Sequence, residues 1–458
     1  MKLKFFFAFL LTILPGLAQD KPNIVFFLVD DMGYMDIACN GSKTYETPHI
    51  DSLASSGLRF TQAYAACGVC SPSRHAIMSG KYPARSGCTN FGMHMKASEF
   101  TLAEAMKENG YDTWFIGKWH LGSKAGEKPE DQGFDVNIGG GREGQPGSYF
   151  WPYASKRSKN GGTLTQHLKE GGKEGEYLTD RLGDEAVKLI DGHKSEKPFF
   201  MYFSFYSVHT PIQAKKDDIA YFQKKISGMK FPDGPKTIKE GGKAMKQVQD
   251  SPQFASMVKS VDDAVGKVLN KLKEKGLDKN TLIFFTSDNG GAAYYGNATC
   301  NLPLRGAKGW YYEGGIREPL LISWPGKIKP GVSAEKVIGT DFYPTIMDLT
   351  GGKKRPEQHV DGVSIKTALI DQKSLPKRNL YWYYPHNHGS GTKASSAMVS
   401  GDYKLIQSLR SGEVQVYNLK KDLGEKNDLS KTKPELTAEL LKQLKAWQAE
   451  LNVKGKLK

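Results

Sequence analysis

The sequence predicts an α/β protein: a large mixed, mostly parallel sheet sandwiched by helices, followed by a smaller C-terminal antiparallel sheet with one helix. Three observations predict it. Four apolar runs without alternation each lead into a polar cluster, helical patterns lie between these runs, and from Leu380 the texture changes to short alternating segments separated by turn residues. Short continuous apolar runs read as strands buried on both faces, the habit of a parallel sheet.

The first residues are set aside from the fold. Lys2 and Lys4 precede an apolar run over 5–14, and Pro15-Gly16-Leu17-Ala18 closes it with small residues. A positive start, a short apolar run and a small-residue end make a secretory signal peptide, too short to span a bilayer. Residues 1–18 are therefore expected to be removed, leaving Gln19 as the terminus of an exported protein, periplasmic or secreted, with no stable membrane insertion. A buried N-terminal helix is the alternative.

The first strand, Asn23–Val29, runs into Asp30-Asp31. Thr101-Leu102-Ala103-Glu104 has the pattern of a capping box, opening a helix that stops at Gly110. The second apolar run, 113–116, leads into Gly117-Lys118-Trp119-His120. Helical spacing over 177–190 precedes the third run, 198–206, which ends at Ser207-Val208-His209. A second amphipathic stretch, 254–275, ends before Gly276, and the fourth run, 281–286, leads into Ser287-Asp288-Asn289-Gly290. In such sheets ligands bind beyond the carboxyl ends of the strands, and every one of these polar clusters lies there. Beyond residue 379 come short strands over 381–384, 397–399, 403–406 and 414–417, with Gly401-Asp402 and Ser411-Gly412 as hairpin connections. Pro434 then opens a helix with Leu440, Leu444, Trp447 and Leu451 on one stripe. The expected division is a main α/β domain over 19–379 and a C-terminal subdomain over 380–458.

The formal net charge is +15. A basic surface concentrates anions, nucleic acid included. The lysines are spread through glycine-rich stretches such as 156–173 and 224–246, however, and read as solvated loop surface. No nucleic-acid-binding signature accompanies them, so no nucleic-acid partner is expected, and the charge supports an anionic substrate only weakly. Five cysteines, Cys39, Cys67, Cys70, Cys88 and Cys300, leave one sulfur unpaired; the other four are free to pair in a connectivity the sequence does not give. Their spacing does not match a zinc site.

Asp30, Asp31, Asp288 and Asn289 offer only oxygen ligands, and carboxylates gathered at adjacent strand ends repel unless a cation neutralises them. Such ligands favour calcium or magnesium; turn capping by Asp and Asn is the ordinary alternative. Cys70-Ser71-Pro72-Ser73-Arg74 admits an ordinary reading too, a buried or disulfide-bonded cysteine ahead of a helix starting near Ser73. Followed by Met78-Ser79-Gly80, though, the string resembles the signature Cys-x-Pro-x-Arg of the formylglycine-dependent (type I) sulfatases, an arylsulfatase-like family of the alkaline phosphatase superfamily. Further motifs occur in the family's order: Asp30-Asp31, Gly117-Lys118-Trp119-His120-Leu121-Gly122, His209-Thr210-Pro211, Ser287-Asp288-Asn289-Gly290, Leu304-Arg305-Gly306-Ala307-Lys308-Gly309 and Glu313-Gly314-Gly315-Ile316-Arg317-Glu318-Pro319. The resemblance runs from Asn23 to about Gly351, and the hairpin-rich tail is also similar to that of arylsulfatase-type enzymes.

The resemblance implies that Cys70 is oxidised to formylglycine by a formylglycine-generating or anaerobic sulfatase-maturing enzyme. It implies one Ca2+ held by Asp30, Asp31, Asp288, Asn289 and residue 70. One hydroxyl of the aldehyde hydrate would attack sulfur, giving a covalent sulfo-enzyme intermediate, and the other would lose its proton to release sulfate. Arg74 would steady residue 70, Lys118 and Lys308 would bind sulfate oxygens, His120 would accept a proton and His209 would protonate the leaving alcohol, the two histidines being interchangeable on sequence alone. His386 and His388 are candidates for a substrate-facing loop, and Arg142 is a further one. Asn297-Ala298-Thr299 is a glycosylation acceptor pattern. The expected activity is sulfate-ester hydrolysis on a sulfated carbohydrate, galactose or N-acetylgalactosamine type first. A phosphate or phosphonate esterase on the same fold, or a catalytically silent glycan-binding protein, are the alternatives.

Overall fold

A computed structural model describes residues 21–154, 168, 171–294 and 298–457. Residues 1–18 and Asn297 of the acceptor pattern lie outside the described residues, as does most of the 156–173 stretch. The strands in chain order are β1 (Asn23–Val29), β2 (Leu58–Tyr64), β3 (Asp112–Gly117), β4 (Val136–Ile138), β5 (Phe199–Ser204), β6 (Thr237–Glu240), β7 (Lys243–Lys246), β8 (Thr281–Ser287), β9 (Arg317–Ser323), β10 (Gly331–Ile338), β11 (Leu380–Tyr384), β12 (Ser395–Ser400), β13 (Tyr403–Ser408) and β14 (Val414–Asn418). Eight of them form one sheet in the order β10-β2-β9-β8-β1-β5-β3-β4. Every pairing is parallel except the two made by β9, which runs against β2 and β8.

The central strands β1, β5 and β8 are apolar at most positions and buried at every one, so the sheet is covered on both faces. Along β1, Val25, Phe27 and Val29 enter a core with the helices Leu178–Gly192 and Pro252–Glu274. Ile24, Phe26 and Leu28 enter a second core with Leu102–Glu108 and Phe342–Thr350. Within the second core, rings stack across neighbouring strands, Phe26 lying 5.0 Å from Tyr202 and 5.4 Å from Phe284. The capping box at Thr101 forms, with Glu104 N donating to Thr101 Oγ1 and Thr101 N to Glu104 Oε2. Among the described residues no helix is long and apolar enough to cross a membrane.

Two readings are corrected, and the antiparallel member of the expected mixed sheet is identified. The helix expected near Ser73 begins at Cys70 and runs to Ser79. Pro72 does not hold it off, because the first-turn amides have no intrahelical acceptor and a missing N–H there costs nothing. None of the five cysteines forms a disulfide. Strand β9, half hidden in the glycine-rich stretch before it, is the one that makes the sheet mixed.

β11 to β14 form an antiparallel meander, with Gly401-Asp402 as a two-residue turn, and the helix Pro434–Glu450 packs Leu440, Leu444 and Trp447 against it. This sheet is bonded to the main one by a buried charge cluster. Lys404 Nζ on β13 lies 2.6 Å from Glu313 Oε1 and 3.0 Å from Glu425 Oε1, and donates to Tyr311 O at 3.1 Å; Arg317 Nη1 lies 3.1 Å from Glu313 Oε2. Lys404, Glu313 and Glu425 have no solvent exposure. Removing one partner of a buried ion pair leaves an uncompensated charge in a dry place. Lys404→Met is therefore expected to lower the unfolding free energy by about 3 kcal/mol, measured by urea denaturation. Adding Glu425→Gln should recover part of that loss; a single variant as stable as the parent contradicts this account.

Candidate active site

β8, β1, β5 and β3 are neighbours running the same way, so their carboxyl ends open side by side, about 4.8 Å apart. Val29 pairs with Ser287, Leu28 with Ser204, and Ser204 with Gly117. The next residues out of the sheet therefore meet. Asp30 N donates to Ser207 O at 3.0 Å, Asp288 N to Val29 O at 3.1 Å, and Lys118 N to Ser204 O at 2.8 Å. Gly117 is needed for this approach. Its φ is +94°, and a Cβ there would sit 1.9 Å from Ser204 O. Asp31 and His120, the second and third residues past their strands, are left-handed at φ 61° and 57°, a conformation that costs a non-glycine residue roughly 1–2 kcal/mol and clusters at functional sites.

The helix Cys70–Ser79 points its N-terminus into this edge. Val69 gives it no side-chain cap, and the first-turn amides of Cys70 and Ser71, which have no intrahelical acceptor, carry partial positive charge at this end. One turn on, Arg74 reaches across the floor. Its Nε donates to Asp288 Oδ2 at 2.9 Å, Nη2 lies 2.8 Å from the same oxygen and 3.4 Å from Asp30 Oδ1, and Nη1 donates to Lys118 O at 3.0 Å and to Ser204 Oγ at 2.5 Å. Lys118 Nζ donates to Asp30 Oδ2 at 2.5 Å. Lys308 Nζ lies 2.7 Å from Asp31 Oδ1 and 2.9 Å from Oδ2, and His209 Nε2 lies 3.6 Å from Oδ2. Cys70 Sγ contacts His120 Nδ1 at 3.5 Å. All ten core residues named from the sequence thus meet in one pit.

Three carboxylates here face three cations of the chain itself, so repulsion among the acids does not alone demand a metal. Asp31 is held well below the usual carboxylate range: burial works against it, but Lys308, His209 and Lys118 prevail. Asp288 is lowered as well, Arg74 and Lys118 overcoming its burial. Asp30 goes the other way. Burial, with Asp288 and Asp31 alongside, pushes it up to about 8 despite Lys118 and Arg74. A carboxyl so placed takes either a proton or a cation.

The donors fit a hard cation. Ligand atoms of Asp30, Cys70 and Asp288 lie within 4.8 Å of one another. Asp30 Oδ1 and Asn289 Oδ1 are buried with no hydrogen-bond partner among the described residues. Asn289 Nδ2 donates to Asp31 Oδ1 at 2.8 Å and to Gly290 O at 3.1 Å, which turns the free amide oxygen the other way. Buried orphan oxygens are costly, and a divalent ion satisfies them.

Both histidines are held below their usual basicity. Burial and then Lys118, Arg74 and Lys308 hold His120 well below its usual range; burial and Lys308 lower His209 to about 3. At the mouth, His388 packs its ring 5.3 Å from that of Phe91, and Phe91 stacks 6.4 Å from His120. His386 Nε2 lies 3.1 Å from Thr89 Oγ1, beside the same loop. Arg142 stands apart, three-quarters exposed and 4.0 Å from Glu143, although its neighbour Gly141 accepts from His120 N at 2.9 Å. Sequence reasoning missed Ser204, which braces both Arg74 and the Lys118 carbonyl, and Phe91. Ser204 sits inside an aromatic run, and Phe91 in a stretch without periodicity, so neither carried a signal.

Comparison with known proteins agrees with this geometry. The family model described as Sulfatase matches residues 22–352, and one described as N-sulphoglucosamine sulphohydrolase, C-terminal, matches 307–452. A protein named Sulfatase from Formosa agariphila is 30% identical, covering 95% of this chain and 90% of its own length. Mouse N-acetylgalactosamine-6-sulfatase is also 30% identical, over 81% of this chain and 71% of its own. The crystal structure of Ps i-CgsB superposes with a TM-score of 0.78 at 31% identity over 93% of each chain, and the same protein has been solved in complex with k-i-k-neocarrahexaose. With that match over most of its length and a pit built from the family's motifs, the chain belongs to the sulfatase family.

Proposed function

We propose that the protein is an exported, calcium-dependent sulfatase that removes sulfate from a sulfated carbohydrate, galactose or N-acetylgalactosamine type first, using formylglycine made from Cys70 by a maturing enzyme. The observation that carries the reading is the position of Cys70, at an uncapped helix N-terminus, within 4.8 Å of Asp30 and Asp288. The names of the relatives, an N-acetylgalactosamine-6-sulfatase and a complex with k-i-k-neocarrahexaose, support a glycan substrate. The pattern of residues 1–18 supports export to the periplasm or medium.

Asp30, Asp31, Asp288 and Asn289 would hold Ca2+, which as a Lewis acid polarises a sulfate oxygen and acidifies a hydroxyl. Formylglycine, as its hydrate, supplies two hydroxyls on one carbon, a nucleophile that no encoded side chain offers. The remaining steps belong to the chain. Lys308 and Lys118 hold and neutralise sulfate oxygens, with the helix amides adding to them. Arg74 fixes Asp288 and Asp30 in place beneath residue 70. His120, its basicity lowered first by burial, lies against residue 70 through Nδ1 and is placed to take a proton there. His209 lies across the pit beside Asp31 and Lys308, placed to protonate the departing alcohol. Its depressed basicity comes from burial and Lys308, and an anionic sulfate seated against Lys308 offsets the second cause.

Mass spectrometry of the tryptic peptide spanning 60–74 from exported protein should show a sulfur-free aldehyde at residue 70, and Cys70→Ala should abolish turnover while keeping the fold. An unmodified thiol in fully active enzyme would overturn the mechanism. An aryl sulfate should be preferred over an aryl phosphate; the reverse preference would make the chain a phosphoesterase. Chelation should lower the melting temperature by a few degrees and calcium restore it, since an ion at a hundredfold excess over its Kd stabilises by about 2.7 kcal/mol. Asn289→Leu should blunt that calcium response; an unchanged response places the ion elsewhere. His209→Gln should slow a sugar sulfate by roughly 10²–10⁴-fold, the worth of a general acid, and a nitrophenyl sulfate far less, because nitrophenolate leaves without a proton. Equal losses on both substrates would hand the acid role to another group.

A further inference from the structure

The pit accounts for recognition of the sulfate but not of what carries it. Over its mouth hangs Phe91, 38% exposed, with Met93, 40% exposed, two residues on. Single exposed apolar side chains are ordinary. This one is held in place. Residues 87–96 are pinned to the tail loop by Thr89 Oγ1 with His386 Nε2 at 3.1 Å and by Tyr384 OH donating to Asn90 Oδ1 at 3.1 Å. On the other side they are pinned to the strand-end loop by Met95 N donating to Leu121 O at 2.8 Å. The ring stacks at 19° on His120, whose Nδ1 touches Cys70 Sγ, and meets His388 at 41°. Tyr294 continues the aromatic wall, 6.4 Å from His388.

An anion-binding pit with an aromatic lip matches a molecule that is charged at one end and has a flat C–H face at the other. Pyranose rings present such a face, and aromatic rings pack against it without demanding hydrogen bonds. We infer that Phe91 is a specificity residue, stacking on the sugar ring whose sulfate occupies the pit, with His388 as the side wall. This rests on the functional reading above and assigns a surface to the part of the substrate that the reading leaves unplaced. Besides supplying His388, the tail loop takes part indirectly, because His386, with Tyr384 at the end of β11, fixes the loop that presents Phe91.

The test is titration calorimetry on the full chain carrying Cys70→Ala, which prevents turnover, with inorganic sulfate and with the 4- and 6-sulfates of galactose and N-acetylgalactosamine as probes. At least one sugar sulfate should bind roughly tenfold tighter than inorganic sulfate, a margin of the size aromatic contacts provide. Phe91→Ala should erase that margin without changing the affinity for inorganic sulfate, and Phe91→Trp should keep it. The inference is overturned if no sugar sulfate outbinds sulfate, if Phe91→Ala keeps the margin, or if it weakens inorganic sulfate equally, which would make Phe91 only a prop for His120. Turnover by the chain with Cys70 intact and matured separates the two levels. A chain that splits no sulfate ester sinks the functional reading, whereas one that splits them with a silent Phe91→Ala sinks this inference alone.

Discussion

Everything in the pit depends on Arg74 holding two carboxylates from different strands in one buried plane. Asp30 and Asp288 follow adjacent parallel strands, and nothing in the sheet itself would keep two acids together out of water. A guanidinium can do so because it is planar, permanently charged and carries several donors in fixed directions. Here it spends Nε and Nη2 on the acids and Nη1 on the Lys118 carbonyl and Ser204. The helix that carries Arg74 is thereby locked with Cys70 over the strand ends, and the position of residue 70 follows from the ion pair rather than from loop packing.

The same charges prepare the pit for an anion. Its own acids and bases balance in number, so the resting chain stores little net field. A divalent ion accepted by Asp30 and Asn289 would tip the balance to positive. Among side chains this buried, that excess would act at low effective dielectric and be felt strongly by a sulfate ester. Such an arrangement would reconcile two demands that conflict at first sight: the acids must be paired for the fold to tolerate them, and yet the proposed metal would need two oxygens left free. Asp30 shows the compromise. It is paired with Lys118 through Oδ2, keeps Oδ1 without a hydrogen bond, and is the acid whose affinity for protons burial raises most plainly.

How much of this was legible follows from what kind of physics sets each feature. Strand ends were legible because strands buried on both faces leave unbroken apolar runs, so Asp30, Lys118, His209 and Asp288 were marked by where the apolar residues stop. The helix at Cys70 was misjudged at its start because a proline in the first turn looks like a barrier in sequence and is harmless in geometry. The free cysteines could not be read because pairing is a matter of distance, not of count. The direction of β9 was hidden because an apolar strand reads the same whichever way it runs; only its hydrogen bonds to β2 and β8 reveal it. Ser204 and Phe91 owe their roles to neighbours far along the chain, and a residue's own type carries no trace of that.

The C-terminal sheet belongs to this logic and is no appendage. Lys308 lies in the stretch between β8 and β9, and the far end of that stretch, Glu313, is where Lys404 from β13 is anchored. Gly309, next to Lys308, has φ +89°, and a Cβ on it would press within 2.3 Å of His388 Nδ1, so the tail loop and the lysine loop are fitted to each other at backbone distance. The second sheet therefore sets both the floor cation and the rim. A fold that separates the two in this way can keep the strand-end chemistry fixed while changing the loop between β11 and β12. On the proposed reading, the part of a substrate that differs from one sugar to another would be met by that loop and its neighbour over 87–96, whereas the sulfate, which does not differ, would be met at the strand ends.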